Sequence, residues 1–109
     1  MKVAVVGSRN INVDIEKFIP EGVTEIVSGG AAGIDFLAEK HADENNIPKK
    51  IFLPEYEKFG RRAPLLRNIQ IVDYADMVVA IWDGKSKGTG FTVNYAKKVG
   101  KPLKIYMQN

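Results

Sequence analysis

Five short apolar runs alternate along the chain with four segments of helical periodicity. Val3–Val6 is uninterrupted and mostly β-branched, the pattern of a strand covered on both faces. Asn12 stands where it can cap a short helix with Ile15, Phe18 and Ile19 on its stripe, stopped by Pro20. Glu25–Ser28 predicts a second strand that runs into Gly29-Gly30. From Gly33 to about Asn46, Ile34, Leu37, Ala38, His41 and Ala42 fall on one helix face. A third strand is expected over Ile51–Leu53, ended by Pro54, and Glu55–Arg62 lacks periodicity and reads as a loop. Pro64 suits the first turn of a helix running to about Tyr74, with Leu65, Ile69 and Val72 as its packing face. Met77–Trp82 predicts the fourth strand. Thr89–Val99 predicts a helix with Thr92, Tyr95, Ala96 and Val99 on one side, ended by Gly100 and Pro102, and Leu103–Tyr106 the last strand.

Strict alternation of strand and helix points to an α/β fold, a Rossmann-like parallel sheet of five strands with helices on both faces. Right-handed crossovers make the doubly wound order 3-2-1-4-5 the leading expectation, with 2-1-3-4-5 as the alternative. No linker, repeat or low-complexity tract divides the chain, so residues 1–109 read as one domain.

Charge and composition narrow the chemistry only a little. No apolar run approaches the roughly 18 residues that span a bilayer, so no membrane partner is expected. The opening Met1–Gly7 reads as a buried strand rather than a signal peptide, and the chain has no cysteine, which makes a cytoplasmic location the default. Sixteen basic against 13 acidic residues leave a net charge of +3, which suits an anionic ligand without requiring one. Lys97, Lys98, Lys101 and Lys104 read as a solvated face rather than a nucleic-acid stripe. His41 lies on an apolar stripe and is the only histidine, so no metal site is expected.

The loops hold the candidate chemistry. In an open α/β sheet, ligands bind beyond the carboxyl ends of the strands, where the strand order reverses. Gly7-Ser8-Arg9-Asn10, the stretch Gly29-Gly30 to Gly33-Ile34-Asp35, and Asp83-Gly84 to Gly88-Thr89-Gly90 follow strands 1, 2 and 4 and converge on one rim. Glycine lets backbone N–H groups close on a phosphate oxygen, and the two loops that open into helices add unpaired first-turn N–H groups. Ser86, Thr89 and Thr92 can add hydroxyl donors and Arg9 a bidentate cation. Neither G-x-x-x-x-G-K-[ST] nor a G-x-G-x-x-G after strand 1 is present, which argues against P-loop hydrolysis and ordinary NAD redox binding. No cofactor is required; a nucleotide-like ligand is expected. Asp35 either complements a helix dipole or fixes a ribose hydroxyl or an arginine. Arg67-Asn68 is open between a surface salt bridge and a ligand contact, and Trp82 reads as packing. Asp83 reads as a turn or cap.

The set Gly7-Ser8-Arg9, Ser28-Gly29-Gly30-Ala31-x-Gly33-x-Asp35, Arg67-Asn68 and Trp82-x-Gly84-x-Ser86-x-Gly88-Thr89 resembles the SLOG superfamily. That is the Rossmann-like group of the DNA-processing protein DprA (Smf) and the Lonely Guy enzymes. Its short, stand-alone, often phage-associated branch is the most similar, and the likeness runs from Lys2 to Tyr106. The resemblance implies a nucleotide-derived ligand, ADP-ribose or NAD-like among the options, and a homo-oligomer. It also implies that Ser8, Arg9, Gly29, Gly30, Asp35, Arg67, Asn68, Ser86, Gly88 and Thr89 line or shape the pocket. Lonely Guy enzymes hydrolyse nucleoside 5′-monophosphates with a glutamate in Pro-Gly-Gly-x-Gly-Thr-x-x-Glu. Thr92 stands at that position here, and a hydroxyl cannot replace a carboxylate base. An N-glycosidic hydrolase would need Asp35 or Asp83 instead. Single-stranded DNA binding, as in DprA, is the third reading.

Overall fold

The computed structural model describes residues 1–108. It is an α/β fold with an all-parallel five-stranded sheet in the order β3-β2-β1-β4-β5. The strands are β1 (Lys2–Gly7), β2 (Glu25–Ser28), β3 (Lys49–Ile51), β4 (Met77–Trp82) and β5 (Leu103–Met107). The helices are α1 (Ile34–Glu44), α2 (Tyr56–Phe59), α3 (Ala63–Tyr74) and α4 (Lys87–Lys98), with 3-10 turns at Ile15–Phe18 and Gly60–Arg62.

Side chains alternate across a strand, so β1 and β4 feed two cores at once. Val3, Val5, Met77, Val79 and Ile81 pack with Ile34, Ala38 and Ala42 of α1 and with Ile11 and Ile15. Ala4, Val6, Val78 and Ala80 face the other way, onto Ile71 and Val72 of α3 and Val93 and Ala96 of α4. Both central strands are thus covered on two sides, as their unbroken apolar runs require.

Departures from the expected elements have local causes. β3 is Lys49–Ile51 rather than Ile51–Leu53, because its register is set by β2, with Ile26 opposite Lys49 and Ser28 opposite Ile51. It is an edge strand, where lysine is favoured and apolar content misleads; Leu53 lies beyond it, 63% exposed beside Gly30. Asn12 caps nothing. The turn after it is a single 3-10 segment whose N-cap position is Asp14, too short to need a side-chain cap. Glu55–Arg62 is no plain loop: α2 and the following 3-10 turn lead straight into α3.

Helix faces also shift. α3 buries Ala63, Arg67, Ile71 and Val72, while Leu65 stays 41% exposed. The inward pull on Arg67, described below, rotates the expected face. α4 begins at Lys87, two residues early, and buries Thr89, Thr92, Val93 and Ala96, leaving Val99 exposed.

Gly33, at φ +75°, turns the chain from the β2 loop into α1 against the Arg9 backbone, which an added Cβ would overlap. Gly33→Ala is expected to cost about 2 kcal/mol, from the strained φ and the clash together. The urea midpoint of the variant measures it.

Candidate functional site

The carboxyl ends of β1 and β4, where the strand order reverses, open into a crevice of about 540 Å³. That volume lies within the roughly 300–1,000 Å³ usual for small-molecule sites.

One wall is built by the loops after β1 and β4. Ser8 is buried; its N–H donates to the Ile81 carbonyl at 3.2 Å, and its Oγ accepts from the Asp83 N–H, also at 3.2 Å. Ser86 Oγ lies 2.9 Å from Ser8 Oγ and 3.1 Å from Asp83 Oδ1. Asp83 Oδ1 also accepts from the N–H groups of Lys85 at 2.8 Å and Ser86 at 2.9 Å. These backbone donors, Ser86 first, hold the Asp83 carboxyl at about 2. The turn so formed aims the start of α4 into the crevice. Ser86, at the N-cap, makes no side-chain capping bond, and the first loop-to-helix bond runs from Gly90 N–H to the Ser86 carbonyl at 3.1 Å. The N–H groups of Lys87, Gly88 and Thr89 have no helical partner, as at any α-helix start. Arg9, Lys85 and Lys87 add positive charge on this side.

The opposite wall is a buried polar cluster. The Arg67 guanidinium, 9% exposed, donates through Nη1 to the Gly29 carbonyl and, at 3.4 Å, to the Phe52 carbonyl. Its Nε donates to Asn68 Oδ1 at 2.8 Å, and Asn68 Nδ2 reaches the Gly88 carbonyl of α4 at 3.5 Å. Asp35, 8% exposed, accepts from the Ala31 N–H at 3.2 Å. Burial pushes its carboxyl up to about 6, against the Ala31 N–H and the Arg67 charge, which pull it down. Burial likewise draws the Arg67 guanidinium below its ordinary value, opposed by Asp35. Gly29 lies between the two charges: a Cβ there would be 2.6 Å from Arg67 Nη1 and 3.0 Å from Asp35 Oδ2. Next to Asp35 on α1, Glu39 accepts from Ser28 Oγ at 2.7 Å.

Of the residues singled out from the sequence, Gly7, Ser8, Arg9, Asp35, Arg67, Asn68, Asp83, Ser86, Gly88, Thr89 and Thr92 line the crevice together. Gly29, Gly30, Gly33 and Gly84 do not; they set the loop paths behind it. Thr92 is turned inward, its hydroxyl donating to the Gly88 carbonyl at 2.9 Å. Trp82 packs, with its indole N–H on the Ser86 carbonyl at 3.0 Å and its ring against Gly90. His41 is held by Asn45, away from the crevice. Sequence reasoning passed over Pro64, Leu65 and Ile71, which complete the α3 side, and Asn10, Lys85 and Lys87, which lay in loops already singled out.

Sheet order and crevice together define a Rossmann-like α/β domain with a polar, cationic pocket at its switch point. The chain is 33% identical over 84 residues to the Gene 61 protein of Mycobacterium phage D29, across 72% of this chain and 67% of that protein, and belongs to its family. No protein-family model and no solved structure matches the chain.

Proposed function

We propose that the crevice binds a nucleotide or nucleotide-derived phosphate ligand, as the resemblance to the SLOG superfamily implies. The observation that carries this reading is the convergence on one wall of the Ser8 and Ser86 hydroxyls, Thr89, the free first-turn N–H groups of α4 and the Arg9 cation. Each favours an anion, and together they suit a phosphate. The apolar patch of Pro64 and Leu65 offers the rest of a nucleotide a surface across the crevice. Among the described residues, no helix is long and apolar enough to cross a membrane.

A thermal-shift screen against nucleoside monophosphates, ADP-ribose, NAD and cyclic nucleotides tests the reading, since a ligand of the folded state raises its midpoint. Arg9→Ala and Thr89→Val are each expected to weaken the binding partner found by about tenfold or more, the cost of one hydrogen bond to a charged group. No shift with any of these nucleotides would refute the reading.

One observation favours turnover as a second reading: Asp35, with its carboxyl near 6, stands in the wall and suits acid–base work on an N-glycosidic bond. Release of ribose phosphate from a monophosphate panel, lost in Asp35→Asn, is its signature; bound nucleotide without release ends it. DNA binding through Lys97 and Lys98 gains no support from the crevice, because both close the far end of α4, about 15 Å from its start.

A further inference from the structure

The chain between β3 and α3 is fastened at both ends and loose between them. Upstream, the Phe52 N–H donates to the Ser28 carbonyl at 2.9 Å, the Phe52 carbonyl accepts from Arg67, and the ring packs edge-on against Tyr74. Downstream, Ala63 is buried at the first position of α3. No residue from 53 to 62 is buried. Backbone hydrogen bonds there stay local, from Lys58 and Phe59 to the Glu55 carbonyl and from Gly60 to that of Tyr56. Neither α2 nor the 3-10 turn after it has a side-chain cap. Solvent-exposed backbone bonds without buried apolar side chains mark a segment that opens locally.

This loose segment borders the crevice. It leads through Ala63 into Pro64 and Leu65 of the α3 wall. Tyr56 lies close enough to Arg67 for its phenol to act on the guanidinium, yet it is 59% exposed and lines no part of the crevice. At one end of α2, Leu53 leans on Gly30 and is exposed. At the other, Gly60 has φ +58°, and a Cβ there would meet nothing within 4 Å. Close packing does not require that glycine; the backbone conformation does. α2 is thus a single rigid turn carried between two yielding joints, with an unused aromatic ring beside the ligand wall.

Resting on the nucleotide reading above, we propose that α2 is a lid that pivots between Leu53 and Gly60 and lowers Tyr56 over the occupied crevice. A bound base or sugar gives the ring a surface that the empty crevice does not, and that differential contact shifts the lid towards closure. Exposed Leu53 and Leu65 add apolar surface for the closed lid to cover.

Hydrogen–deuterium exchange and stopped-flow release on the full chain test the lid, with AMP, ADP-ribose, NAD and cyclic AMP as probes and calorimetry to establish which bind. In the free chain, amides of residues 55–62 are expected to exchange at least about a hundredfold faster than those of residues 69–74 in α3. A bound probe is expected to slow them about tenfold or more. Tyr56→Ala is expected to raise the dissociation rate of that probe about tenfold, the scale of one aromatic stacking contact, and Tyr56→Phe to leave it unchanged. Exchange in the free chain as slow as in α3, or unchanged by a bound probe, overturns the lid and leaves the nucleotide reading standing. A dissociation rate unchanged in Tyr56→Ala overturns it equally, since the ring then never reaches the ligand. If none of the four probes binds, the nucleotide reading fails, and the lid with it.

Discussion

Arg67→Met is expected to destabilise the fold by about 3 kcal/mol, the scale of losing buried hydrogen bonds from a charged donor and leaving their acceptors unpaired. Arg67 and Asp35 are each less than a tenth exposed and stand on either side of Gly29. Loss of the guanidinium leaves the carboxylate without the charge that favours its ionised form. The Gly29 and Phe52 carbonyls lose a donor as well, and Asn68 loses the contact that orients it towards Gly88. Methionine replaces the aliphatic stem, so the expected loss is electrostatic rather than a cavity. Lysine is a poor substitute, since its single ammonium nitrogen cannot stand where both Nε and Nη1 of the guanidinium donate. For a chain of this size the melting midpoint should fall by more than about 10 °C. Asp35→Asn in the same chain should restore over 1 kcal/mol, because the two groups are coupled. A change under 1 kcal/mol in the single variant would mean that Arg67 is solvated and free to hold ligand.

Arg67 also shows where sequence reading stops. The choice posed from the sequence was surface salt bridge or ligand contact, and the structure gives the side chain an internal role while leaving it in the crevice wall. Its carbonyl partners are 38 and 15 residues away, in loops that only the sheet order brings together. By contrast, β1 and β4 were legible because a strand buried on both faces must be apolar throughout, and β2 because its end is punctuated by Gly29-Gly30. β3 was displaced because an edge strand is specified by its neighbour's register rather than its own hydrophobicity. The glycine and serine loops announced the wall built by the turns after β1 and β4. Pro64, Leu65 and Ile71 carried no such signal, since apolar residues on a helix read as core until the helix orientation is known.

The pH dependence of Asp35 should be visible in stability. Its folded value, about 6, lies above the ordinary 3.8, so the folded state holds a proton that the unfolded chain has already lost between those values. Stability from this group therefore falls as pH rises from about 4 to about 6 and is level above that, by roughly 3 kcal/mol in all. Asp35→Asn carries no such proton. Measured against the native chain, the variant should gain about 2.5 kcal/mol between pH 4 and pH 7.5, whatever its offset at either end. Arg67 and Glu39 are the charges facing Asp35, the first opposing and the second reinforcing the shift, and both stay in the variant. Asp83 runs in the opposite sense: held at about 2, it contributes stability above pH 4 that is lost as pH falls towards 2, below this window. Urea unfolding of both proteins at the two pH values gives the difference directly. A constant difference would mean that Asp35 titrates as a solvated carboxyl, and acid–base work in the crevice would then have no group tuned for neutral pH.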